Sequence, residues 1–176
     1  TKTHKLVLEG LFGTVKTVTT TKELIDNNQI SPLNIKCLVL KHPEDIAEQA
    51  KDWSYQEEIQ YLIACQDRNR FIRNLTISLN KNTLVLYQLV DKHGKLLYDM
   101  IKEKSNGRQV FFVHGGVETE DREEIRSIME KENDAIVVAS YGTFSTGINI
   151  RNLHNIIFAR DQKSTRLNSS HVSESR

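Results

Sequence analysis

Residues 135–149 read AIVVASYGTFSTGIN. The apolar run stops at Ala139, and most of the following ten residues are small or hydroxylated. A short apolar run without alternation is what a strand shows when both faces of its sheet are covered. A plain turn needs one or two small residues, but a loop that approaches an anionic backbone can use many hydroxyls and exposed N–H groups. Ser140, Thr143, Ser145 and Thr146 are therefore candidate phosphate contacts. Gly147 would let the main chain come close to a ligand, and Asn149 could hydrogen-bond a ribose or bridge two loops. The same stretch also reads as a polar loop with a glycine turn.

Three further apolar runs give this one its context: TLVLYQLV (83–90), VFFVH (110–114) and NIIFA (155–159). Between the first two, KLLYDMIKEK (95–104) places Leu96, Leu97, Met100 and Ile101 on one helical face, with Gly107 as a stop. Between the next two, TEDREEIRSIMEKE (119–132) has acidic residues in its first turn, which suits the helix dipole, and a stripe of Ile125, Ile128 and Met129. Apolar strands alternating with amphipathic helices predict an α/β fold, an open, mostly parallel sheet with helices on both faces. Ligands in such sheets sit beyond the carboxyl ends of the strands. Two suspect segments fall there: SYGTFSTGIN after the third run, and HGG (114–116) after the second. His114 could be a ligand, an acid/base group or a hydrogen-bonded structural residue, and Gly115 permits close backbone approach.

Upstream, Thr20 with Glu23 and Ser54 with Glu57 each have capping-box spacing. The second opens a helix with Tyr55, Ile59, Leu62 and Ile63 on one face, which the pattern carries on towards Leu75. Arg68, Arg70 and Arg73 lie outside that stripe and read as a solvated face. NIKCLVL (34–40) reads as a strand.

Composition sets limits. No run approaches the roughly 18 apolar residues of a membrane span. Cys37 and Cys65 stand alone, without metal-type spacing, and read as reduced thiols of an intracellular protein. The chain has 24 basic and 23 acidic residues; residues 161–176 hold Lys163, Arg166 and Arg176 against Asp161 and Glu174, which leaves 21 of each in the body. Bulk charge therefore does not mark a nucleic-acid binder, and any such binding must come from a local surface. There is no G-x-x-x-x-G-K-[ST], no G-x-G-x-x-G, no H-E-x-x-H and no serine triad, so the chain carries no complete catalytic set and no metal site.

The order of segments resembles the second, C-terminal RecA-like lobe of a superfamily 2 DNA helicase, nearest to the phage UvsW group of recombination and repair helicases. EGLFGTVKTVTTTKELIDNNQI is similar to the stretch that follows the first lobe, and NTLVLYQLVDKHGKLLYDMI resembles motif IV and its helix. VFFVHGGVETEDREEIRSIM resembles the strand, HG turn and arginine-bearing helix that follow, and AIVVASYGTFSTGINIRNLHNIIFA resembles motif V and the next strand. The likeness covers about residues 6–159. It implies that Ser140, Thr143, Ser145 and Thr146, with His114 and Gly115, face a nucleic-acid backbone, and that Gly147 and Asn149 lie towards the nucleotide. The family pattern often has Asp where Asn149 stands. Arg122 fits a recurrent structural or interlobe arginine.

Two departures accompany the likeness. The first lobe, with its P-loop and acidic magnesium motif, is expected to be missing from a sequence cut at both ends. Motif VI, of form Q-x-x-G-R-x-x-R, is due after NIIFA, where the sequence reads RDQKSTRLNSSHVSESR, which looks like adaptor- or vector-type sequence. The expected organisation is a lead-in segment at 1–33, the C-terminal lobe at 34–159, and a non-native, disordered tail at 160–176. The expected function is that of a lobe of an ATP-dependent DNA helicase or translocase, which acts in recombination, repair or replication-fork processing in the cytoplasm of an infected host. The intact enzyme would use ATP and magnesium, and this part alone would be inactive. Its partners would be DNA, bound by its backbone, and the first ATPase lobe, with no membrane. The alternatives are a stand-alone nucleic-acid-binding module and a mononucleotide-binding α/β protein of another class.

Overall fold

The computed structural model describes residues 2–14, 16, 18–29, 31, 32, 34–145 and 150–159. The chain divides into two compact units, Thr1–Val39 and Leu40 onward. The first holds α1 (Lys2–Phe12) and α2 (Thr21–Asp26). The Thr20 capping box forms: the Thr20 N–H donates to Glu23 Oε2 at 2.8 Å, and the Glu23 N–H donates to Thr20 Oγ1 at 3.2 Å. The strand expected over 34–40 does not form. Its backbone is irregular, and Ile35, Leu38 and Val39 are 79, 53 and 84% exposed. Apolar composition alone does not make a strand, which also needs a neighbouring edge to pair with.

The second unit opens with α3 (Glu44–Gln49), a 3₁₀ turn (Ala50–Asp52), α4 (Tyr55–Ala64) and α5 (Gln66–Ser78). Ser54 caps α4 through the second capping box. The single helix expected from Tyr55 towards Leu75 is two helices. Cys65 is extended (φ −62°, ψ 102°) and ends one while it begins the other. Buried Asn69 covers the break by donating from Nδ2 to the Ile63 carbonyl at 2.8 Å. That bond satisfies a carbonyl in the last turn of α4.

Four strands follow with their helices: β1 (Thr83–Tyr87), a π-helical turn (Val90–Gly94), α6 (Lys95–Glu103), β2 (Val110–Val113), α7 (Thr119–Lys131), β3 (Ile136–Ser140), α8 (Tyr141–Ser145) and β4 (Asn155–Phe158). They form one parallel sheet in the order β2-β3-β1-β4. This is the α/β architecture the sequence predicts. Strand alternation divides the core. Val85, Tyr87, Ile136 and Val138 pack with Leu97, Ile101 and Ile72 on one face. Leu84, Leu86, Val137 and Ala139 pack with Met129, Val113 and Ile150 on the other. In α6 the buried stripe is Leu97 and Ile101, while Leu96 is 42% exposed.

The amino-terminal edge of the sheet is tied by a residue that the sequence reading passes over. Asn82, fully buried, donates from Nδ2 towards the carbonyls of Met129, Glu132 and Asn152 at 2.7, 2.7 and 2.8 Å. Its Oδ1 accepts the Ala135 N–H at 2.8 Å. One amide therefore joins the start of β1, the end of α7, the start of β3 and the approach to β4. Arg108 does the same for α5, donating to the Leu79 carbonyl at 3.0 Å and the Ile77 carbonyl at 3.3 Å while pairing with Asp134 at 2.8 Å. A cation at a helix C-terminus meets the negative end of the dipole.

Candidate nucleic-acid and nucleotide edge

Register fixes what stands at the carboxyl ends. Tyr87 is level with Ser140, and Val113 is level with Ala139, so the turns after β1, β2 and β3 leave one edge together. The floor of this edge is Tyr87. Its ring is fully buried, and its hydroxyl reaches past β3 to donate to the Val113 carbonyl at 3.1 Å. Burial, with Asp91 adding to it, pushes the phenol above its ordinary range, so it stays a neutral donor. Above it the chain turns through Gly94. A Cβ there would lie 2.4 Å from Tyr87 Cε2. Gly94 has ordinary right-handed dihedrals (φ −60°, ψ −49°), so space, not conformation, calls for glycine. The neighbouring His93 is buried, with Nε2 3.2 Å from Asn69 Oδ1, which ties this turn to the break between α4 and α5.

The HGG turn after β2 is organised from within. The Gly116 N–H donates to His114 Nδ1 at 3.1 Å, and the Val117 N–H donates to the His114 carbonyl at 3.0 Å. With Nδ1 accepting, the neutral ring carries its proton on Nε2. The ring lies 5.3 Å from that of Phe112. Arg122, from the first turn of α7, donates to the Gly115 carbonyl at 3.1 Å. Its buried Nε has no hydrogen-bond partner among the described residues. Asp91, in the turn after β1, is held below the ordinary carboxylate range first by the hydrogen bond from Lys95 at 2.7 Å, and least by His114.

After β3 the structure departs from the expectation of an open loop. Ser140 and Thr143 are 8 and 5% exposed. Their hydroxyl oxygens lie 2.7 Å apart, and the Thr143 N–H donates to Ser140 Oγ at 3.4 Å. Serine followed by a partner three residues on is the geometry of a helix start, and the single turn α8 forms there. Tyr141 then stacks on Phe158 of β4, with ring centroids 6.1 Å apart. The Ser145 side chain, Thr146, Gly147 and Asn149 lie outside the described residues, as do 160–176. The edge therefore brings together His114, Gly115, Ser140 and Thr143. The sequence reading misses Tyr87, Gly94, Asn69 and His93, which support them. The glycine just before an amphipathic helix, where no turn type demands one, was the available signal.

The chain has no phosphate-gripping glycine loop, and no group of three His, Cys, Asp or Glu side chains able to hold a metal ion stands among the described residues.

Comparison with known proteins places the chain in a family. Residues 56–168 match the helicase conserved C-terminal domain. Over 158 residues the chain is 36% identical to the ATP-dependent DNA helicase uvsW of Enterobacteria phage T4, a match that covers 88% of this chain and 31% of that protein. The crystal structure of T4 UvsW superposes with a TM-score of 0.60 at 36% identity over 68% of this chain and 24% of that one. The chain thus spans about a third of the length of the relative it matches. By a match over more than half of its length, all four strands included, and by a fold shared at that identity, the chain belongs to the helicase conserved C-terminal domain family.

Proposed function

We propose that the chain is the second lobe of an ATP-dependent DNA helicase or translocase of recombination, repair or replication-fork processing, which works in the cytoplasm of an infected host. One observation carries this reading: three polar turns leave the carboxyl edge of a sheet whose sequence is 36% identical to a DNA helicase. In the intact enzyme a first lobe would hold ATP and magnesium, and this chain alone would be inactive. Gly147 and Asn149 would face the nucleotide. His114 Nε2–H, the Gly115 main chain, Ser145 and Thr146 would meet backbone phosphates, which are the same in every sequence. Ser140 and Thr143 would serve the same strand. Because each hydroxyl already engages the other, we assign them the start of α8, from which the contacting loop departs.

Fluorescence anisotropy of the isolated chain on two unrelated single strands tests the reading. Two similar affinities that fall steeply with salt are expected. Tight nucleotide binding without DNA binding would favour a mononucleotide-binding protein instead. DNA binding by a native chain that has no ATPase lobe would favour a stand-alone module.

A further inference from the structure

A second polar surface lies away from this edge. Arg73, Asn74, Ile77 and Ser78 of α5, with Lys104 and Asn106 just after α6, line one shallow groove. No acidic side chain lines it among the described residues. Arg73 Nε and Nη2 both donate to Asn74 Oδ1, at 3.0 and 2.9 Å, and its charge meets no carboxylate at ion-pair distance among the described residues. Lys104 has the carboxylate of Glu103 at 3.5 Å, in an exposed pair worth little. Asn106 is held in the left-handed region (φ 51°), next to Gly107 (φ 88°), so the turn that presents Lys104 and Asn106 has a set shape.

The plain reading of a cation beside the end of α5 is dipole compensation. Here that work is already done. Arg108, only 12% exposed at its side chain, donates to the carbonyls at the end of α5. Arg73, in the middle of α5, is therefore surplus to the end of that helix, while Lys104 stands at the end of α6. What they and the Asn and Ser groups beside them match is an anion with several acceptor oxygens.

The position of the groove is fixed by α5. The helix starts at the carboxyl edge, where Arg68 donates to the carbonyl of Ala159 just after β4. It ends at Ser78, at the opposite edge, so the groove residues Arg73 to Ser78 lie about 8 to 15 Å along the helix from Arg68 at 1.5 Å per residue. Arg70 stands between, paired with Asp67 at 3.1 Å. A duplex that rises roughly 3.4 Å per base pair covers that distance in about two to four pairs.

We propose that this groove is a second backbone contact for nucleic acid, which holds the duplex arm adjoining the single strand at the carboxyl edge. The inference rests on the functional reading above. It assigns the three arginines of the 66–78 segment unequal roles: Arg68 structural, Arg70 paired, Arg73 ligand-facing.

The test compares the chain with R73Q/K104Q on a short single strand and on a duplex that carries the same strand as an overhang. The double variant should melt like the parent, since both side chains lie at the surface. It should bind the overhang duplex about tenfold more weakly, the scale of losing charge-assisted bonds. Its log-affinity against log-salt slope should be shallower by about 2, one unit per cation removed. Single-strand affinity should be unchanged, and R73K/K104R should bind as the parent does. Duplex affinity and slope equal to the parent's would overturn the proposal. So would an equal loss towards polyglutamate, which would mark a general polyanion surface. If R73Q/K104Q is silent while His114→Ala weakens the single strand, the groove alone is wrong. If His114→Ala is silent while R73Q/K104Q weakens the duplex, the contact assigned to His114 is wrong and the groove stands. A parent that binds neither substrate removes both.

Discussion

Ser140 Oγ and Thr143 Oγ1 lie 2.7 Å apart in a pair of side chains that are both more than nine-tenths buried. The last residue of the central strand β3 is thereby tied to the third residue of the turn that leaves it. Thr143→Ala should lower stability by about 1–2 kcal/mol, because a buried hydroxyl loses its partner. It should also weaken single-strand binding, because the start of α8 is no longer fixed. Thr143→Ser keeps the oxygen and should restore both. A melt and an anisotropy titration of each variant measure this. A stable Thr143→Ala with weakened DNA binding would instead make the hydroxyl a direct phosphate contact.

Asn82 gives a sharper contrast between two substitutions. Asn82→Ala leaves the Ala135 N–H without its acceptor and removes a donor from three carbonyls, and should cost about 3 kcal/mol. Asn82→Asp keeps the acceptor but sets carboxylate oxygens against those carbonyls, with no proton to give. Chemical denaturation should therefore rank Asp below Ala, the reverse of what side-chain volume alone would give.

Gly94→Ala should destabilise by about 1–3 kcal/mol or more, because the new methyl overlaps the buried Tyr87 ring at 2.4 Å. The backbone there is ordinary right-handed helix, so alanine brings no conformational penalty to confuse the result. Pairing Gly94→Ala with Tyr87→Leu should recover part of the loss by opening space, although the Tyr87 bond to Val113 is gone. A double-mutant cycle on the denaturation free energies reads that recovery as a coupling energy. Purely additive effects would show that the ring is not what the glycine accommodates.

The sheet was legible because its strands are local apolar runs and its helices carry clean stripes, as in Ile125 with Met129. The two capping boxes were legible for the same reason, since the signal is complete within four residues: Ser54→Ala should cost about 1 kcal/mol. What was not legible depends on distant partners. Cys65 breaks a helix that its own neighbours favour, because Asn69 secures the break and is itself held by His93 from a separate segment. NIKCLVL has strand composition without a pairing edge. Ser140 and Thr143 were readable as hydroxyls of interest, but their mutual burial depends on how β3 hands over to α8. Asn82 and Arg108 work across separations of 25 residues and more, beyond the reach of any local pattern.

The central claim is that this chain works as the second lobe of a DNA-stimulated ATPase, and a chimera tests it most directly. Residues 6–159 would replace the segment they match in T4 UvsW, leaving that protein's first lobe and its later sequence in place. The measurement is steady-state ATP hydrolysis with and without single-stranded DNA. The account predicts DNA-stimulated turnover by the chimera, its loss in Asn149→Ala, and none from this chain alone. A chimera that melts cooperatively and binds DNA but never turns over ATP, or an isolated chain that hydrolyses ATP unaided, would contradict it.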